Sequence, residues 1–136
     1  MKNKPRAWHV YGKKMCKVIR IDFEEELVTL DLETDWGETG RYTFTSVKIM
    51  QPTGLKDKNG VEIYEGDIVK RTYLFNGGLG KTHIGRVVYD KKYARYVISK
   101  LHQHIKLETE ELRNALSDVS TYEVIGNIYE DSNLFK

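Results

Sequence analysis

Along most of this chain apolar and polar residues alternate with a period of two, the pattern of strands that bury one face. In the run Met15–Phe23, Met15, Ile19, Ile21 and Phe23 share one face, with Lys17 the exception, and Arg20 and Asp22 lie on the other. Glu24-Glu25-Glu26 breaks the run with three like charges, and Leu27–Leu32 resumes it with Val28, Leu30 and Leu32 inward. These two runs predict a hairpin. Lys4–Val10 reads as a short first strand or arm anchored by Trp8, followed by a turn at Gly12-Lys13-Lys14. Thr34–Gly40 reads as a loop around Trp36-Gly37. In Arg41–Met50 the parity changes between Phe44 and Val47, which predicts a bulge or break near Thr45-Ser46. Pro52 is expected to end this segment, giving an N-terminal half of about four antiparallel strands.

Thr53–Lys70 is a stretch of turn chemistry. Asn59-Gly60 is a strong hairpin signal, since a type I′ turn needs positive φ at both central residues. Gly66-Asp67 makes a second corner, and Ile68–Leu74 starts a strand. Asn76-Gly77-Gly78-Leu79-Gly80 reads as a mobile loop and Thr82–Asp90 as the next strand, with Gly85 predicting a bulge or a close backbone approach. Lys91-Lys92 turns into a strand at Tyr93–Ile98. Leu101–Leu116 fits neither period cleanly; Thr109 is a candidate N-cap and Leu112 and Leu116 lie one turn apart, so a short helix is expected at 109–117. Thr121–Tyr129 returns to β with Gly126-Asn127 as a bulge, and Leu134 and Phe135 in the tail are candidates to dock on the core. Short strands with glycine corners predict a mostly β fold with a small barrel.

At 136 residues the chain is most simply one domain, large enough to bury a core without staples. A net charge of +2 gives bulk charge no say about nucleic acid. The single cysteine, Cys16, cannot form an internal disulfide and favours a reducing, cytoplasmic setting. No segment reads as a signal peptide or reaches the ~20 apolar residues of a membrane span, so no membrane association is expected.

Candidate chemistry is thin. Cys16 sits in an apolar strand pattern and reads as a small core or subsurface residue rather than a nucleophile. Asp57-x-Asn59-Gly60 resembles the middle of a calcium loop, but Leu55 and Gly66 would hold its first and last ligand positions. Gly78-Leu79-Gly80-Lys81-Thr82 ends like a phosphate loop, yet Phe75 stands at its first glycine and a strand follows. His102 and His104, with His83, make at most half a zinc site. Glu62, Glu65 and Asp67 cluster around Tyr64, either as an acidic site or as turn caps, and turn chemistry accounts for them best. No catalytic, metal or cofactor site is expected, and the chain reads as a non-enzyme. One basic stripe is a candidate nucleic-acid interface: Lys56, Lys58, Lys70, Arg71, Tyr73, Lys81 and Arg86.

Met50-Gln51-x-Thr53-Gly54-Leu55-x-Asp57-x-Asn59-Gly60-x-Glu62-Ile63-Tyr64-Glu65-Gly66-Asp67-Ile68-Val69 resembles the signature block of the YopX family of phage and prophage proteins. Tyr122-Glu123-Val124-Ile125-Gly126-Asn127-Ile128-Tyr129-Glu130 resembles its second block, and Arg6-Ala7-Trp8 with Met15 its opening. Pro5 stands where the family usually shows an aromatic, and residues 99–120 have no counterpart in the pattern. The resemblance implies one YopX-like domain over 1–136, with β hairpins in 1–50 and an SH3-like barrel part in 51–136. It implies a phage or prophage protein in the bacterial cytoplasm, oligomeric, with no established activity to carry over. Its signature residues here, Gly54, Asp57, Asn59, Gly60, Tyr64, Gly66, Asp67, Gly126 and Asn127, are expected to serve structure. Two functions compete. One is a protein-interaction or self-assembling module, whose partner is a second copy or a host or phage protein. The other is a small β-barrel that binds single-stranded DNA or RNA.

Overall fold

The computed structural model describes residues 4–75, 78–100, 103–106 and 119–131. They are mostly β, in antiparallel sheets, and the chain divides into two compact units, Met1–Pro52 and Thr53–Lys136.

The first unit is a five-stranded sheet built from β1 (Arg6–His9), β2 (Lys14–Asp22), β3 (Leu27–Asp31), β4 (Thr39–Thr43) and β5 (Val47–Met50), ordered β4-β3-β2-β1-β5. β2 serves both halves of the sheet: Lys14–Lys17 pairs with β1, and Val18–Asp22 pairs with β3. The register slips between Val18 and Arg20, so Ile19 is an extra residue without a partner on β3. This bulge corrects the face expected for the strand. Cys16 and Val18 point into the core, Ile19 is half exposed and Phe23 is in solvent, and only Ile21 of the expected set packs inward past the bulge. A uniform period of two cannot place residues on both sides of a slip.

The hairpin β2–β3 forms as expected, with the glutamates in its turn. Asp22 Oδ1 accepts the N–H groups of Glu24 and Glu25, and Glu26 takes φ +55° to close it. The parity change after Phe44 is a one-turn 3-10 helix, Phe44–Ser46, so the expected break separates two strands and the unit has five strands rather than four. Ala7, Cys16, Val18, Val28, Leu30 and Val47 form the core, with Tyr42 and Phe44 against it.

The segment ends where expected: β5 stops at Met50 and the first unit closes at Pro52, which is also the first residue of β6 (Pro52–Lys56), where a missing N–H is tolerated. β6 pairs with β7 (Glu62–Tyr64) as a two-stranded ribbon. The second sheet holds β8 (Asp67–Phe75), β9 (Gly78–Asp90), β10 (Arg95–Lys100), β11 (Gln103–Lys106) and β12 (Val119–Asn127), ordered β11-β10-β9-β8-β12. Among the described residues no ladder joins β11 to β12, so the sheet expected to form an SH3-like barrel is open there. Gly78-Leu79-Gly80 is not a mobile loop but the start of β9, with Gly78 opposite Phe75 and Leu79 opposite Leu74. Part of the ambiguous segment is β11; the helix expected at 109–117 and the tail residues Leu134 and Phe135 lie outside the described residues.

The core of this unit is Ile63, Val69, Val87, Ile98 and Tyr122. Gly85 makes the close approach its sequence position suggests. A Cβ there would stand 2.8 Å from the carbonyl oxygen of Ser99 and collide with the Ile98 side chain. The bulge in β12 falls at Ile125, one residue before the expected Gly126-Asn127, because Val124 pairs with Val69 and Gly126 with Ile68.

Gly85→Ala is expected to lower the stability of the second unit by about 1–3 kcal/mol, the usual range for overpacking against fixed backbone. A reduced denaturation midpoint with an unchanged slope is the result that checks it.

Candidate functional site

Asp57 stands between β6 and β7 and is 7 % exposed. Its N–H donates to the Val61 carbonyl at 2.8 Å, and the Gly60 N–H donates back to the Asp57 carbonyl at 3.0 Å. Gly60 has φ +79°, whereas Asn59 is not among the residues with positive φ. The corner is therefore not the expected type I′ turn, which needs positive φ at both positions; a single left-handed glycine closes a longer loop. Asp57 Oδ1 accepts the N–H groups of Asn59 and Val61 at 2.8 and 2.9 Å. Asp57 Oδ2 accepts the N–H of Val124 at 3.0 Å, from a strand 67 residues away. The Lys58 N–H donates to the Tyr122 carbonyl at 2.8 Å, and Lys58 Nζ lies 2.9 Å from Glu123.

The second corner is built the same way. Asp67, 1 % exposed, accepts the Tyr64 N–H on Oδ2 at 2.7 Å. Gly66 takes φ +89°, donates its N–H to the Val87 carbonyl and accepts the Ile128 N–H, both at 2.9 Å. Asn127 pairs with Asp67 in the β8–β12 ladder, and its Oδ1 accepts the Tyr129 and Glu130 N–H groups. Gly126 is packed against the Asp131 carboxylate, whose Oδ2 accepts the Asn127 N–H at 3.2 Å. Gly54, at φ +82°, turns β6 beside Thr53, whose hydroxyl donates to the Ile63 carbonyl.

The two sequence blocks, 50–69 and 122–130, thus meet as halves of one hydrogen-bonded knot. A carboxylate has about four lone-pair sites, and three of those on Asp57 are filled by backbone N–H groups. That is the chemistry of a structural tie rather than of a cation ligand. Among the described residues no three His, Cys, Asp or Glu side chains gather as for a metal. His102 is outside the described residues. Glu65 lies near the phenols of Tyr96 and Tyr129; burial first, and then this carboxylate, push both phenols above their ordinary value. In the first unit Cys16 is buried and its thiol is pushed up by that burial, against the weaker pull of Lys14, which suits a core residue.

The fold splits the basic stripe. Lys70 and Arg71 are neighbours on β8 and project from opposite faces. Arg71 is 4 % exposed, with its guanidinium over the Tyr122 ring at 5.8 Å. Lys70 is half-buried and pairs in register with Glu123, the carboxylate that also meets Lys58. Lys56 and Arg86 are exposed. Tyr73 is placed on β8 beside Ser120, and Lys81 on β9.

A family description, YopX protein, matches residues 4–136. The crystal structure of protein EF1440 from Enterococcus faecalis is similar, with a TM-score of 0.63 and 26% identity, covering 100% of this chain and 99% of that one. No curated protein matches.

Asp57→Ala leaves three part-buried N–H groups without their acceptor and is expected to cost about 3 kcal/mol, with Asp57→Asn in between and Lys58→Ala, which removes only a surface ion pair, within about 1 kcal/mol of the parent. Chemical denaturation of the three variants checks that order. Arg71→Glu is expected to destabilise by about 3 kcal/mol or more, because it buries an acid in place of a packed guanidinium. A thermal melt separates this unfolding from any loss of nucleic-acid binding.

Proposed function

We propose that this chain, which belongs to the YopX family, is a non-catalytic protein-interaction or self-assembling module. The observation that carries the reading is Trp36. It is 87 % exposed at the tip of the turn between β3 and β4. The turn is tightly closed: Leu32 N–H donates to the Glu38 carbonyl, Gly37 N–H to the Thr34 carbonyl, Glu38 N–H to Thr34 Oγ1 and Glu33 N–H to Asp31 Oδ1. An indole held in water on an ordered turn loses little conformational freedom when it inserts into a partner, which is what a binding anchor needs. Tyr11 and Phe23, at other turns of the same unit, are 81 % and 77 % exposed and add apolar surface of the same kind.

The filled lone pairs of Asp57 and the buried Cys16 favour binding over catalysis. A second copy of the chain is the partner put forward first, with a host or phage protein as the wider class and the bacterial cytoplasm as its setting. The family resemblance supports a role as a phage or prophage accessory protein. The basic stripe gives nucleic acid less support, since Arg71 is in the core and Glu123 sits among the lysines.

Light scattering behind a sizing column is expected to give a defined oligomer, and Trp36→Ala is expected to shift it toward monomer without lowering the thermal midpoint. An interface of on the order of 1,000 Å² or more is expected for a stable assembly. A monomer at every concentration, with no partner lost on Trp36→Ala, overturns the reading.

A further inference from the structure

The outer face of the first unit carries a cross-strand row that bears on a different ligand. Arg20 on β2 stands opposite Thr29 on β3, and Thr29 stands opposite Arg41 on β4. Residues paired this way project from one face of the sheet. Val28 and Leu30, on either side of Thr29, are fully buried, so the row faces outward. With neighbouring strands ~4.8 Å apart, the two arginine Cα atoms lie about 10 Å from each other with Thr29 midway, near enough for both guanidinium groups to close on one small group above it.

A groove of about 360 Å³ lies over this row, lined by Arg20, Arg41, Thr29, Thr39, Asp22 and Leu27 among others. Both arginines are exposed, and among the described residues neither takes part in an ion pair or side-chain hydrogen bond. The one carboxylate of the groove, Asp22, uses Oδ1 to hold the β2–β3 turn. The contrast with the second unit is plain: Lys58 is neutralised by Glu123, and Arg71 is packed on Tyr122. Two guanidinium forks and two hydroxyls line the groove with one carboxylate, while Asp31, opposite Thr39 on the same face, uses Oδ1 to hold the Glu33 N–H; the lining is complementary to a compact anion with several oxygens.

We propose that this groove binds a phosphate group, with Arg20 and Arg41 taking its oxygens from two sides and the Thr29 hydroxyl donating from beneath. The phosphate is either that of a small phosphomonoester or one of a single-stranded nucleic-acid backbone; the chemistry of the groove is the same for both. The proposal is independent of the Trp36 reading, and neither stands or falls with the other.

The test is an amide NMR titration of the full chain with inorganic phosphate, adenosine monophosphate and a short oligodeoxythymidine. Saturable shifts are expected at Thr29 and Thr39. Arg20→Ala and Arg41→Ala are each expected to weaken binding about tenfold or more, and Arg20→Lys to weaken it too, because it keeps the charge and loses the fork. Lys91→Ala, an exposed lysine of the second unit, is expected to change nothing. Tighter binding of the oligonucleotide than of the monophosphate, falling steeply with salt, assigns the phosphate to a nucleic-acid backbone; equal or tighter binding of the monophosphate assigns it to a small molecule. The proposal is overturned if no probe shifts Thr29 saturably, if binding survives Arg20→Ala combined with Arg41→Ala, or if Lys91→Ala weakens it as much.

Discussion

One buried carboxylate holds the second unit's connections in place. Asp57 accepts two N–H groups from its own loop and one from Val124 on β12. The loop bonds set the corner between β6 and β7. The Val124 bond fixes that ribbon to a strand that comes 67 residues later in the chain. A buried ionised group is costly unless its lone pairs are met, and backbone donors meet them without adding a second buried charge. With Lys58 bonded to Tyr122, and Gly66 bonded to both Val87 and Ile128, the corner residues bring β7, β8, β9 and β12 into one register.

This constraint accounts for the Asp, Asn and Gly residues of the block through the turns they hold. The residue types that serve ligands also serve turns, and here the turns take them. The surfaces proposed for recognition lie elsewhere. In the first unit Tyr11, Phe23 and Trp36 are exposed at turns, and Arg20 and Arg41 lie on the outer sheet face with no ion pair among the described residues.

Much of the fold was legible in the sequence because it rests on local rules. The β2–β3 hairpin, the break after Phe44, the corner at Gly66 and the close approach at Gly85 each follow from a few adjacent residues. What was not legible depends on register. The bulge at Ile19 turned the expected face of β2 around, and it also set Arg20 opposite Thr29, so the row with Arg41 could not be read from spacing. Arg71 looked like a surface residue beside Lys70, and only the pairing with β12 places it against Tyr122. Asp57 and Asn127 were expected to serve structure, and both accept backbone N–H groups, but the bond from Asp57 to Val124 links segments that no local pattern connects.

The most direct test of this account is the hydrogen-exchange protection of the Asn59, Val61 and Val124 amides, whose protons the Asp57 carboxylate is assigned. All three are predicted to exchange slowly in the parent, near the rate set by opening of the whole unit, and to lose protection together in Asp57→Ala. Fast exchange at Val61 and Val124 in the parent, while the neighbouring β8 amides stay protected, would mean that the carboxylate is not bound to the backbone and that its role must be sought in a ligand.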